Sequence, residues 1–253
     1  SLAVNVFLAD KKAIIGVNDD SNNISLNAAN NVNVGVDARQ EITNGIISAS
    51  VSTSSNAISG ALSANVIKGD SYALVKEGAD INDNSTLNSA SATQSVDVAV
   101  SDNTTLFDLT GTLAASSSNS VGVALAGNVF WKDVKSGIYS TVNADDNVMV
   151  TADTEQNLTA TTVGIAASTG GFSGAGSISI GLVKSTTQAE IGSNAVISTD
   201  GSVGIHAGDD TDIFMLEPAA SFSSGGTALA GAVGAAVFIG TTKARILDNA
   251  TIS

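Results

Sequence analysis

The chain has 253 residues with 24 acidic against 10 basic side chains, a net charge of −14, one histidine and no cysteine. That balance excludes nucleic acid as a partner, because its backbone is bound through Lys and Arg. It also argues against anionic membrane surfaces and removes disulfide and thiolate chemistry. Apolar residues make up 43% of the chain but aromatic residues only 4% and charged residues 13%, so the core must be built from small and aliphatic side chains under a surface of Ser, Thr and Asn. Such a composition suits strands rather than helices.

The first element carries an aliphatic residue, then a small residue seven positions on and a second aliphatic two further, as Val6, Ala13 and Ile15. The same spacing returns at Val66/Ala73/Val75, Val129/Ser136/Ile138, Leu182/Ala189/Ile191 and Val237/Ala244/Ile246. Successive anchors are 60, 63, 53 and 55 residues apart. After each complete copy comes an alternating segment, "VGVDA" ending at Ala38, "VAVSD" at Asp102, "VMVTA" at Ala152 and "VGIHA" at Ala207. A turn then precedes the next anchor, as "SSN" at 54–56, "SSN" at 117–119, "TGG" at 169–171 and "SGG" at 224–226. Three landmarks in constant order define a repeat.

Between turn and anchor the period is two. Ile58, Gly60, Leu62, Ala64 and Val66 form an apolar face in one copy, and Leu229, Gly231, Val233, Ala235 and Val237 form it in another. The opposite face is small, as in Ser59, Ala61, Ser63 and Asn65. Alternation over ten residues excludes a helix. Just past each anchor, on the small face, Phe7, Ile67, Phe130, Val183 and Phe238 form a bulky column, as expected where repeats stack to fill a solenoid core. Trp131 points the other way and is read as packing or chance exposure.

Short alternating strands between Asn, Asp or Gly turns, as in "NAVISTDGSVGIHAGDD" at 194–210 and "NNISLNAANNVNVGVDA" at 22–38, resemble the β-helical passenger and filamentous-haemagglutinin type of exported bacterial adhesin of autotransporter and two-partner secretion systems. The resemblance implies an all-β, right-handed parallel β-helix over residues 1–253. It implies display on the bacterial surface or secretion as part of a larger chain, with a role in attachment or aggregation. Its partners would be proteins or glycans of a host or neighbouring cell, or other copies. Family coils are nearer twenty residues than sixty, so each repeat holds either two or three coils or one wide one. No signal peptide stands at Ser1 and no apolar run is long enough to span a bilayer, so an exported chain would be a piece of something longer.

Chemistry is sparse. His206 reads as a turn-edge or packing residue rather than a base or metal ligand. Lys68, Lys132, Lys184 and Lys243 recur near the anchors and read as a solvated edge ladder. Acidic segments at 18–23, 81–85, 143–147 and 208–212, with Asp19, Asp145 and Asp209 as their candidate ligands, offer oxygens suited to calcium. Asn and Asp are also the preferred residues of solenoid turns, and solvated turns are the preferred reading. The sequons at Asn84 and Asn157 fit chance in so Asn-, Ser- and Thr-rich a chain. The expectation is therefore a non-enzymatic stalk or binding shaft without catalytic residues, metal site or cofactor and with no assigned ligand-binding residue. The alternatives are a polysaccharide-cleaving β-helix, marked by an Asp/Glu/Arg/Lys groove, and an ice-binding solenoid built on the flat small face and an exposed Thr ladder.

Overall fold

The computed structural model describes residues 1–16, 24–82 and 94–253, and its strands form a parallel β-solenoid of three sheets. The first coil contains β1 (Leu2–Leu8), β2 (Lys11–Ile15), β3 (Ile24–Leu26) and β4 (Val32–Ser52). The second contains β5 (Ala57–Val75), β6 (Ala79–Ile81) and β7 (Val96–Ser116), and the third β8 (Ser120–Ile138), β9 (Thr141–Ala144) and β10 (Val148–Ser168). The fourth contains β11 (Ser173–Ile191), β12 (Val196–Thr199), β13 (Val203–Leu216) and β14 (Ala219–Ser223), after which β15 (Ala228–Ile246) and β16 (Thr251–Ile252) continue the pattern. Sheet A has the order β1-β5-β8-β11-β15, with β2 also paired to β5. Sheet B is the short β16-β12-β9-β6-β3, and sheet C is β13-β10-β7-β4, with β14 also on β10.

Each sequence repeat is one wide coil. Val6, Val66, Val129, Leu182 and Val237 are paired in register, and so are Ala13, Ala73, Ser136, Ala189 and Ala244. The unequal repeat lengths arise at the corners. Ile81 pairs with Val142 and Val96 with Val148, so the second coil carries nine more residues than the third between sheets B and C (15 against 6). Both long strands keep their ladders unbroken. The alternating pentapeptides are a correction: Val34, Val98, Val150 and Ile205 share a column, so "VMVTA" and "VGIHA" begin two residues early. With a side-chain period of two, a slip of two leaves the pattern unchanged.

Sheets A and C face one another, and sheet B closes the broad end. The sequence writes the interior as layers. At the tapered end small residues meet across the sheets, as Ala114, Ala166 and Ala175 do. The approach is so close that a Cβ on Gly122 would lie 2.6 Å from the Ile165 carbonyl oxygen. A polar layer follows, in which Asn5 donates to Asn65 and Asn65 to Asn128, each at 2.8 Å. There Ser63 and Asn44 donate to Asp108 at 2.9 and 3.0 Å. Next comes an apolar layer where Ile67, Phe130 and Val183 from sheet A meet Leu106 and Leu158 from sheet C. Three members of the bulky column thus fill the core as expected, while Phe7 and Phe238, on the first and last strands of sheet A, are 36% and 49% exposed. At the broad end Val75, Ile81, Val98, Ile138, Val150 and Ile191 join the largest cluster.

The turns at the tapered end are fixed by a serine that ends each sheet C strand. Ser52, Ser116, Ser168 and Ser223 are in register. The Ser52 hydroxyl accepts from the Ser55 amide at 3.1 Å, Ser116 from Ser118 at 2.9 Å and Ser223 from Gly226 at 3.0 Å. Short hydroxyl side chains hold such turns because they reach a backbone amide two or three residues on.

Candidate functional surfaces

Because the small face of sheet A is inward, its apolar face is outward. The flat small face proposed for ice is therefore inside, and the outward column of Thr43, Phe107, Thr159 and Phe214 on sheet C mixes Thr with Phe. On sheet A every outward position from 58 to 66, and its register partners at 121–129, 174–182 and 229–237, is aliphatic or glycine. Ile180 is 56% and Val123 38% exposed although both residues are paired on each side. A monomer seldom shows so continuous an apolar face without a use for it.

Two residues beyond that face runs a row of Lys68, Trp131 and Lys184, in register. The two ammonium groups lie 5.5 and 4.2 Å from the Trp131 ring centroid, so the indole sits between two cations that its π face attracts. Trp131, read as packing or chance exposure, has specific neighbours. Lys68 and Lys184 share one outward row, whereas Lys243 pairs with Gln188 two outward positions farther along, and Lys132 is a correction. It points inward, is 1% exposed, and places Nζ 3.2 Å from Asp102 Oδ1 and 2.8 Å from Gln40 Oε1. Asp102 also accepts from Ser71 at 2.6 Å and Thr104 at 3.1 Å. Burial pulls the Lys132 ammonium below its ordinary pKa against the opposing pull of Asp102. Its partners come from sheet C, 30 and 92 residues earlier in the chain, where strand alternation gives no signal.

A second buried carboxylate, Glu190, ends the outer face of sheet A beside sheet B. It pairs with Lys135 at 2.6 Å and Arg245 at 2.7 Å and accepts a short hydrogen bond from the Tyr139 hydroxyl. Gly137 and Gly192 make room for the Tyr139 ring. Burial pushes Glu190 upward, but the hydrogen bonds from Lys135, Tyr139 and Arg245 together hold it below its ordinary value. Tyr139 is pushed up by burial and by its bond to Glu190. The buried Glu190 carboxylate is thus satisfied by two partly exposed cations and the Tyr139 hydroxyl.

The outer face of sheet C is acidic and shallowly grooved. One groove is lined by Asn33, Asp37, Arg39, Ser101 and Asp153, and its neighbour by Asp153, Glu155 and Asp210. Arg39 Nε is 3.5 Å from Asp37, and His206 Nε2 is 3.3 Å from Asp153 Oδ1. His206 is thus an exposed mid-strand residue rather than a turn-edge or packing one. Burial alone raises the pKa of Asp97.

The acidic segments divide. Asp19, residues 18–23, most of 81–85 and the sequon at Asn84 lie outside the described residues. Asp145 is in the turn between β9 and β10. Asp209 is in strand β13, where it accepts from Thr211 at 2.9 Å, so residues 208–212 are strand and not turn. Asn157 is also mid-strand and donates to Glu155 at 3.0 Å. Among the described residues, no three His, Cys, Asp or Glu side chains are grouped to hold a metal. Comparison with protein-family models, with curated proteins and with solved structures found no match to this chain.

Proposed function

We propose that the chain is a rigid length of a larger surface-displayed bacterial adhesin, serving as a stalk or binding shaft in attachment or aggregation. One observation supports this most directly: the five paired anchor positions stay in register from β1 to β15. A coil of 53 to 63 residues therefore adds one strand spacing of about 4.8 Å to the axis. Such a body gains length and broad outer faces, with its ionised inner groups closed off from solvent. Its acidic and apolar faces suit extended contact with a protein or glycan surface, and its charge of −14 opposes anionic lipid and nucleic acid.

Beads coated with the chain test this reading. Retention on host or neighbouring cells, competed by the free chain, is the expected result. Retention equal to that of uncoated beads would remove the adhesive role. Release of new reducing ends from a polysaccharide, lost in Asp153→Asn, would replace the reading with the enzymatic one.

A further inference from the structure

We infer that the outer face of sheet A pairs with the same face of a second copy of this chain. For its purpose this pairing rests on the shaft reading; its geometry stands on the face alone.

The first ground is relief. Leu2, Leu62, Leu125, Ile178 and Val233 are one column of paired residues and make a ridge. On one side runs the column Gly60, Val123, Gly176 and Gly231, and on the other Val4, Ala64, Gly127, Ile180 and Ala235. A Cβ added at Gly127 or Gly231 would meet nothing within 4 Å, and at Gly60 or Gly176 nothing nearer than 4.0 Å. The fold itself therefore does not require these glycines, and glycine weakens a strand interior. What they leave is a shallow groove along Gly60, Gly176 and Gly231 beside the aliphatic ridge, interrupted at Val123. A two-fold axis lying between the two faces, parallel to the ridge and midway between it and the groove, seats each copy's ridge in the other's groove, since an isologous contact needs one self-complementary patch.

The second ground is size. Four strands of nine residues and the five residues Leu2–Val6 of β1, at about 3.3 Å per residue and about 4.8 Å per strand, give a face on the order of 650 Å². Stable interfaces bury about 800 Å² per partner. Charge is the third ground. The face carries none, whereas the whole chain carries −14, so this is the surface on which two copies meet with least repulsion. Two such sheets would pack about 10 Å apart with their strands inclined by about 30°.

Sedimentation equilibrium of the chain tests the proposal, with circular dichroism and melting of each variant as the control for folding. Wild type should reach a discrete dimer as concentration rises. Leu125→Lys should weaken it by about 100-fold or more, since it buries an unpaired charge at the centre. Gly60→Val with Gly176→Val fills the groove without adding polarity and should weaken the dimer about tenfold while leaving melting unchanged or raised. The chain has no cysteine, so Leu125→Cys should give a disulfide-linked dimer on mild oxidation, and Asn157→Cys on sheet C should not.

A monomer at every concentration overturns the inference, as does a dimer indifferent to Leu125→Lys. Association strengthened by the valines would mean unspecific apolar contact and also overturns it. Binding to phosphatidylcholine vesicles that Leu125→Lys abolishes, without dimer, would assign the face to lipid instead. A chain that dimerises while its beads adhere to no cell would remove the adhesive reading and leave the pairing intact.

Discussion

Phe130 and Trp131 are neighbours in sequence and lie on opposite sides of β8. The smaller ring is fully buried, while the larger is 47% exposed between two lysines. The same division runs through the half of sheet A nearer the tapered end, where the inner side is made of small and polar residues up to the bulky column and the outer side is aliphatic or glycine. In a sheet with one solvated face the usual arrangement is apolar inside and polar outside. Here the inner side is constrained by a second sheet that approaches almost to backbone contact at the tapered end. Only small residues fit there, and polar ones are accepted where the opposing sheet supplies a partner.

The largest expected effect separates those two neighbours. Phe130→Ala should lower unfolding free energy by about 3–5 kcal/mol, since the apolar layer of Leu106, Leu158 and Val183 cannot close over the space. Trp131→Ala, which removes two exposed cation–π contacts, should cost about 1 kcal/mol or less. Urea denaturation of both variants gives the two numbers, and similar midpoints would break the comparison.

Two glycines of β8 repeat the contrast without changing polarity. Gly122→Ala on the inner side drives a Cβ against the Ile165 carbonyl oxygen and should destabilise by about 1–3 kcal/mol. Gly127→Ala on the outer side meets open space and should stabilise by roughly 0.5–1 kcal/mol, because alanine loses less backbone freedom on folding. Differential scanning calorimetry should find the melting temperatures moving in opposite directions.

The smallest effect sharpens the comparison at an outer-face position that is nevertheless covered. Glu190 has a folded-state pKa below its unfolded one. Its stabilisation is therefore complete above the ordinary glutamate value of about 4.3 and is lost as pH falls through the lower folded value. Glu190→Gln should flatten stability against pH across that window. An acid limb identical to wild type would mean that Lys135 and Arg245 do not favour the charged form.

The repeat anchors and the bulky column were legible because each is a local pattern recurring at a countable spacing. Alternation reports that two faces exist and how each is composed. It is blind to the sheet that will be laid against one of them, which is why the paired residues of Lys132 had no signal. The misplacement of "VMVTA" by two residues has the same origin, since shifting by one full side-chain period leaves every face as it was. Asp209 shows a different limit. A cluster of Asp beside Gly reads as a corner, but β13 is held by the ladder to β10, and tertiary pairing overrides local preference. The serines at 52, 116, 168 and 223 could have been found from sequence, because each stands one or two residues before a turn already located.

The constant register also sets how this molecule would respond to a pull. Hydrogen bonds between coils run along the axis, so tension applied between the chain ends detaches one coil at its rim instead of shearing all ladders together. A coil folded into about 4.8 Å of axis holds 53 to 63 residues. Extended at about 3.3–3.6 Å per residue, each would release on the order of 200 Å. A shaft built this way can lengthen some fortyfold, locally and one step at a time, while the coils still stacked keep their shape.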